Sequence, residues 1–336
     1  MQNRFLIGLF ISLLTSLPSI SQAEESNEEV QELDSVSVIG ENRKDISEFS
    51  GASCVHYGEE IKSHTDVSSF IAQQTAFVIK QNGNGMMSTL SLRGTAASHT
   101  ATQWNGISIS SLTMGQTDFS TLPTFFFDRM AIYPGGESAI FGDGAIGGAV
   151  QLSSVPTSSH ATQENSDLKW NLSAETDWGS FGKRFHGFKF YADKNRVTNR
   201  TALFHSKCDN DYSFSFRGET HEQKNAQYKN FGLLNETSVR IGKGSSFLKG
   251  GDIIGADVWF TKFSRDIQPM MQNNEDPTKY EDISDQSVKI VLRQDRVSRK
   301  YDLHNKIAWS NDREKYQNDL IATHDISIQS GIIQKV

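Results

Sequence analysis

Cysteine is scarce in this chain: Cys54 and Cys208 are the only two in 336 residues. They lie too far apart to form a metal-binding spacing, and spacing alone leaves their pairing open. Basic excess is missing as well. The formal charge is −7, which removes the usual electrostatic footprint for nucleic-acid binding. Long apolar runs are absent after residue 23, so no spanning helix of about 18 to 20 residues is available. The nine histidines are scattered and form no H-E-x-x-H or equivalent ligand spacing. "GGESAI" approaches the G-x-S-x-G nucleophile elbow, but Ile140 stands where the final glycine belongs. The chain reads as a non-enzyme.

Residues 1–23 form a secretory signal: Arg4, an apolar core from Phe5 to Leu14, Pro18, then Ser21-Gln22-Ala23 ahead of Glu24. An exported chain without spanning helices is either soluble or enters a membrane as a β-barrel, the other structure that satisfies every backbone group in lipid. Residues 24–49 open with the acidic stretch "EESNEEVQELD" and read as a flexible segment. Within it "DSVSVIG", residues 34–40, alternates with Val36 and Val38 in phase.

Residues 50–155 read as a small α/β domain. "TDVSSFIAQQTA" places Asp66 as an N-cap before a helix with Val67, Phe70 and Ile71 on one face. "FVIKQ", "STLSLRG" and "TATQWNGISI" are short strand-like runs broken by Gly and Asn. "GDGAIGG" contains a literal G-x-G-x-x-G at Gly142, Gly144 and Gly147. That fingerprint binds a pyrophosphate only where a helix begins after it. Here Val150, Leu152 and Val155 continue in extended phase and Pro156 stops any helix, so the glycines read as tight turns.

Residues 156–167 form a polar linker, and beyond it the pattern changes. In "LKWNLSAETDW" Leu168, Trp170, Leu172, Ala174 and Trp178 share one face while Lys169, Asn171, Ser173, Glu175 and Asp177 share the other. That run approaches the length of a tilted spanning strand. Alternation recurs in "FKFYAD", in "YSFSFRG", in Phe231 to Ile241, in "VKIVLRQ" with Val291 on the polar face, and in "YDLHNKIAW". About eight strands are expected over residues 168–336, with Trp170, Trp178, Trp259 and Trp309 at membrane interfaces. A soluble β-sandwich gives the same periodicity. The heavily charged polar face and the export signal favour the barrel.

Three stretches together resemble the TonB-dependent outer-membrane receptors: "DSVSVIG" their coupling box, "STLSLRGTAASHTATQWNGISIS" the plug segment with its R-G turn, and "YPGGESAIFGDGAIGGAVQL" the end of the plug. "RGTAASHT" and "QNGNGMMSTL" look most like the cobalamin-receptor branch. The resemblance implies an α/β plug domain followed by antiparallel transmembrane β-barrel strands. Family barrels have about 22 strands, so about eight make this an incomplete barrel and a truncated member. It further implies a periplasmic TonB-type coupling protein engaging Asp34, Ser35, Val36, Ser37, Val38 and Ile39 by strand addition. Arg93 would make plug–barrel contacts, although "YPGGE" stands where many members carry an R-G-P turn. Ligand would meet the outward plug loops through Asn82, Asn84, Met86, Met87, Ser110, Ser111, Leu112, Met114 and Gln116. The expected ligand is cobalamin, with a ferric siderophore second and a passive porin-like or exported β-protein as the alternative outside uptake. No cofactor is implied beyond calcium, for which Asp209 and Asp211 are weak candidates.

Overall fold

A computed structural model describes residues 54–57, 61, 65–111, 114–136, 141–142, 144–154, 168–241, 252–268, 281–297, 302–319 and 323–335. The signal, residues 34–40 and the linker over 156–167 lie outside them. The described residues belong to one compact unit, Lys44–Val336.

The first part is the α/β domain. Strand β1 (Cys54–Tyr57) precedes helix α1 (Val67–Gln74), followed by β2 (Ile79–Gln81), β3 (Ser88–Leu90), β4 (Thr100–Trp104), β5 (Ile107–Ser108), β6 (Arg129–Pro134) and β7 (Gly148–Ser153). Five of these strands form a mixed sheet in the order β1-β6-β7-β4-β5, and β2 pairs with β3 apart from it. As the sequence indicates, Asp66 caps α1: its carboxylate accepts from Ser69 N at 2.9 Å and Ser69 Oγ at 2.8 Å. Val67, Phe70 and Ile71 are buried on the inner face. Asp66→Ala is expected to cost about 1 kcal/mol in denaturant unfolding.

The glycine cluster ends this sheet. Strand β7 starts at Gly148, directly after "GDGAIG", and runs between β4 in parallel and β6 in antiparallel register. No helix follows, so no helix N-terminus meets a phosphate there. Gly147 has a packing reason instead, since a Cβ at this position would run into Thr95 and lie 3.1 Å from Leu92 O.

The second part is an antiparallel sheet of eight strands: β8 (Lys169–Trp178), β9 (Arg184–Lys194), β10 (Val197–Cys208), β13 (Tyr228–Arg240), β14 (Ile253–Asp266), β15 (Glu281–Val297), β16 (Asp302–Asn318) and β17 (Thr323–Lys335). Strands β8 and β17 are its edges, so among the described residues the barrel is not closed. "YSFSFRG" departs from the expectation: Ser213–Phe216 forms β11, which pairs with β12 (Glu219–Glu222) in a separate hairpin. Four residues per strand are too few to span a bilayer.

Alternation gives the large sheet two unlike faces. The outward row Ala174, Phe188, Leu203, Leu233, Phe260 and Val288 runs in register across six strands. Leu172, Leu292 and Ile328 remain 52%, 56% and 61% exposed. The inward face instead buries Arg200, Glu236, Asp257, Arg265, Lys289 and Arg293. A soluble sandwich would turn its apolar face inward and its charges to water. Large apolar side chains left exposed on the outer face, with charges buried on the inner one, suit a sheet that has an apolar surrounding outside and a packed plug inside.

Trp259 corrects the interface assignment. It is 2% exposed on the inward phase, whereas Trp309 is 39% exposed on the outward one. Its ring lies 5.1 Å from Trp104 and 5.2 Å from Phe126. Phe126 also meets Phe204 edge-on at 5.2 Å, and Phe125 meets Phe185 at 5.4 Å. Plug and wall therefore share one aromatic core. Val291 is likewise buried on the inward phase, as its break in the apolar pattern suggests.

Candidate functional site

Both plug loops singled out by sequence contact one end of the sheet, the end at which β8, β10, β14 and β16 finish.

The first loop, residues 82–87, is clasped by the barrel. Gln268 Nε2 donates to Asn82 O at 2.7 Å, and Arg265 Nη1 to Gly85 O at 3.3 Å. Asn84 and Asn210 exchange amide hydrogen bonds, Nδ2 to Oδ1 at 3.1 Å one way and Nδ2 to backbone O at 2.8 Å the other. Asn82 and Asn84 remain exposed, Met87 is half-buried, and Met86 is buried. Met86 is thus a packing residue of the loop.

In the second loop Ser111 O accepts from Gly115 N at 2.8 Å and Ser111 N donates to Gln116 O at 3.0 Å. Ser110 Oγ and Thr117 Oγ1 lie 3.2 Å apart. Met114 projects at 40% exposure, Ser110, Ser111 and Gln116 are half-buried, and Leu112 lies outside the described residues. Ser110, Ser111 and Met114 line a cleft of about 120 Å³ with Asp118, Thr261, Phe263, Asp285, Ser287, Lys289, Asp312 and Glu314 among its walls. Asp285 and Glu314 face each other across β15 and β16, and Lys289 pairs with Asp312 at 2.9 Å. Asp285 Oδ1 and Ser287 Oγ are buried with no hydrogen-bond partner among the described residues.

Two buried ionic centres fasten plug to wall, and sequence reasoning missed both. Toward the loop end, Arg265 pairs with plug Asp118 at 2.7 Å. At the opposite end Arg200 holds Glu236 at 2.9 Å, Asp128 at 3.2 Å and Phe126 O at 3.0 Å. Glu236 accepts from Asn105 Nδ2 at 3.0 Å and from Ser154 Oγ. Ser154 Oγ accepts from Trp104 Nε1 at 2.8 Å. Lys306 Nζ donates to Asn105 O. The available signal was charge at inward-phase positions of alternating strands.

Arg93 occupies an exposed turn at φ 51° with its guanidinium beside Gly135. Asp209 and Asp211 are exposed, and Lys207 lies 3.8 Å from Asp209. Among the described residues no three His, Cys, Asp or Glu side chains group in a way that holds a metal. Residues 34–39 are outside the described region.

A mixed-sheet domain packed on the inner face of an antiparallel sheet whose outer face is apolar is the architecture of a plugged β-barrel, here open among the described residues. A family profile described as "TonB-dependent Receptor Plug Domain" matches residues 46–149. The vitamin B12 transporter BtuB of Vibrio vulnificus is 29% identical over 107 residues, covering 29% of this chain and 18% of that protein. Its counterpart from Photobacterium profundum is 25% identical over 176 residues, covering 49% of this chain and 25% of that protein. The chain thus spans a quarter or less of these relatives in the matched region. Among solved structures, a ferric enterobactin receptor of Pseudomonas aeruginosa in complex with enterobactin aligns at a TM-score of 0.57 with 12% identity, covering 84% of this chain and 46% of that one. The siderophore receptor PiuA of Acinetobacter baumannii aligns at 0.55 with 10% identity, covering 84% and 40%.

Residues 46–149 thus match the plug domain of the TonB-dependent receptors, and the described residues share the fold of such receptors.

Proposed function

We propose that this chain forms the plug and adjoining wall of a receptor that captures a large amide-bearing nutrient, cobalamin ahead of a ferric siderophore, for TonB-energised uptake. The cleft beside residues 110–116 carries the reading. Of its charged lining, Asp118 is paired with Arg265 and Asp312 with Lys289, which leaves Asp285 and Glu314 against Arg313. The partnerless Asp285 Oδ1 offers the ligand a hydrogen-bond acceptor. Cobalamin presents peripheral carboxamide donors and an apolar ring edge, whereas a ferric tris-catecholate is a polyanion that this lining repels. The exposed Met114 supplies adaptable apolar contact at the mouth. Similarity of the plug to two vitamin B12 transporters supports the same choice.

Energy would arrive through residues 34–39. An outer membrane has no ATP and no sustained ion gradient, so uphill release needs a mechanical link to the periplasm. Val36 and Val38 in phase suit strand addition to a coupling protein. The outward apolar face would meet the lipid.

Titration of cyanocobalamin and of a ferric tris-catecholate against the protein in lipid or detergent tests the ligand assignment. Saturable binding of cyanocobalamin with weaker or no binding of the catecholate is expected; the reverse order would overturn it. Asp285→Lys is expected to narrow that preference by about tenfold or more, through the cation it sets facing the ligand.

A further inference from the structure

We propose that Asp118 and Arg265 are a positioning pair that sets the two ligand-facing loops against each other and against the barrel wall. The proposal rests on the reading of those loops given above. Asp118 follows the loop over residues 110–116 after a single intervening residue, the buried Thr117. Its Oδ1 accepts from Ser88 N at 3.0 Å, and Ser88 is the first residue beyond the loop over 82–87. The same oxygen accepts from Ser120 N at 3.1 Å and Ser120 Oγ at 2.7 Å. One carboxylate therefore ties the C-terminal ends of both loops together.

Arg265 anchors that junction to β14. Its Nη1 donates to Asp118 Oδ2 at 2.7 Å, to Gly85 O at 3.3 Å and to Ser120 Oγ at 3.3 Å. The side chains of Arg265 and Asp118 are 5% and 8% exposed, so water screens the pair weakly. The guanidinium also lies over the Phe263 ring at 5.4 Å from its centroid, and Phe263 lines the cleft. Gly85 closes the arrangement: at φ +72° it packs so near the Tyr228 ring that a Cβ would overlap it. The first loop thus packs directly on the wall, and the Asp118–Arg265 pair links it to the second loop and to the cleft.

The arrangement separates positioning from contact. Oδ1 is occupied by the two backbone amides and the Ser120 hydroxyl, and Oδ2 by Arg265, so the carboxylate acts on ligand through the loops it holds. Loss of its charge leaves the amides an acceptor in Asp118→Asn but removes the charge-assisted bond from Arg265.

The test compares wild type, Asp118→Asn, the charge-exchanged double variant D118R/R265D, and Asp252→Asn. The last breaks a buried ion pair with Arg296, 2.7 Å apart on the barrel wall and away from the loops. Cyanocobalamin affinity and hydrogen exchange of residues 82–88 and 110–117 are measured for each. Asp118→Asn is expected to lose about tenfold or more in affinity, with both loop segments exchanging faster together. Asp252→Asn should do neither, and the double variant, whose residue 118 offers no acceptor to Ser88 N and Ser120 N, should lose at least as much affinity as Asp118→Asn. Unchanged affinity in Asp118→Asn, or faster exchange in one loop alone, overturns the proposal. If wild type fails to bind cyanocobalamin, the ligand reading falls, while the paired exchange of the two loops still decides the positioning claim.

Discussion

Glu236→Ala is expected to loosen the plug from the barrel wall and to lower stability by about 3–5 kcal/mol. The carboxylate sits 4% exposed against an Arg200 side chain at 8%. Its removal leaves Arg200 to Asp128, whose side chain is 35% exposed and 3.2 Å away. Asn105 and Ser154 lose their shared acceptor in the same step. Two plug segments are involved, the β4–β5 turn and the residue that follows β7, so the expected result includes ion leakage across a bilayer as well as easier unfolding. Glu236→Gln keeps an acceptor for Asn105 and Ser154 and should lose less. Thermal unfolding of the detergent-solubilised protein measures the first effect and planar-bilayer conductance the second. A change below about 0.5 kcal/mol would place Glu236 among ordinary surface residues and remove it from the plug attachment.

Trp259→Ala should cost about as much by a different route, roughly 3–5 kcal/mol from lost burial and the cavity left behind. The indole joins the wall to three plug rings, with Phe127 at 5.9 Å alongside Trp104 and Phe126. Aromatic pairs of this kind add about 0.5–1.5 kcal/mol each beyond area burial. Trp309→Ala removes an indole from the outward face and opens no cavity against the plug, so its effect should be much smaller. Comparing the two variants in one unfolding series checks the asymmetry. Equal losses would contradict the assignment of the two faces.

The contrast between these tryptophans also marks how far the sequence could be read. Period-two alternation revealed the strands, and the apolar phase is unmistakable in β8, where Trp170 and Leu172 alternate with Asn171 and Ser173. In β14 both phases carry large apolar groups, Val258 and Phe260 on one and Trp259 and Phe263 on the other. Here the pattern gives no sign to the two faces, because the wall must cover an aromatic plug inside and present an apolar surface outside. Local signals fared better in the plug, where the Asp66 cap and the strand-terminating glycines act over a few residues.

The ionic centres were illegible for a related reason. Asp118 and Arg265 are 147 positions apart, and no local spacing rule connects them. The described plug–wall ion pairs run from barrel arginines to plug carboxylates, Arg265 to Asp118 and Arg200 to Asp128. Resemblance directed attention to Arg93, a plug cation, and so to the opposite polarity. For residues 82–87, sequence chemistry identified a polar loop with two methionines, but only the fold reveals that the wall holds its carbonyls and encloses Met86.

The central claim is that one sheet face meets lipid while the other meets the plug, and the chain's five tryptophans allow a direct measurement. Single-tryptophan variants retaining Trp309 or Trp259, with the others replaced by Phe, would be reconstituted in liposomes with brominated acyl chains, which quench only indoles in contact with them. The account predicts strong quenching of Trp309 and none of Trp259. Equal protection of both, or quenching of Trp259 alone, would contradict it.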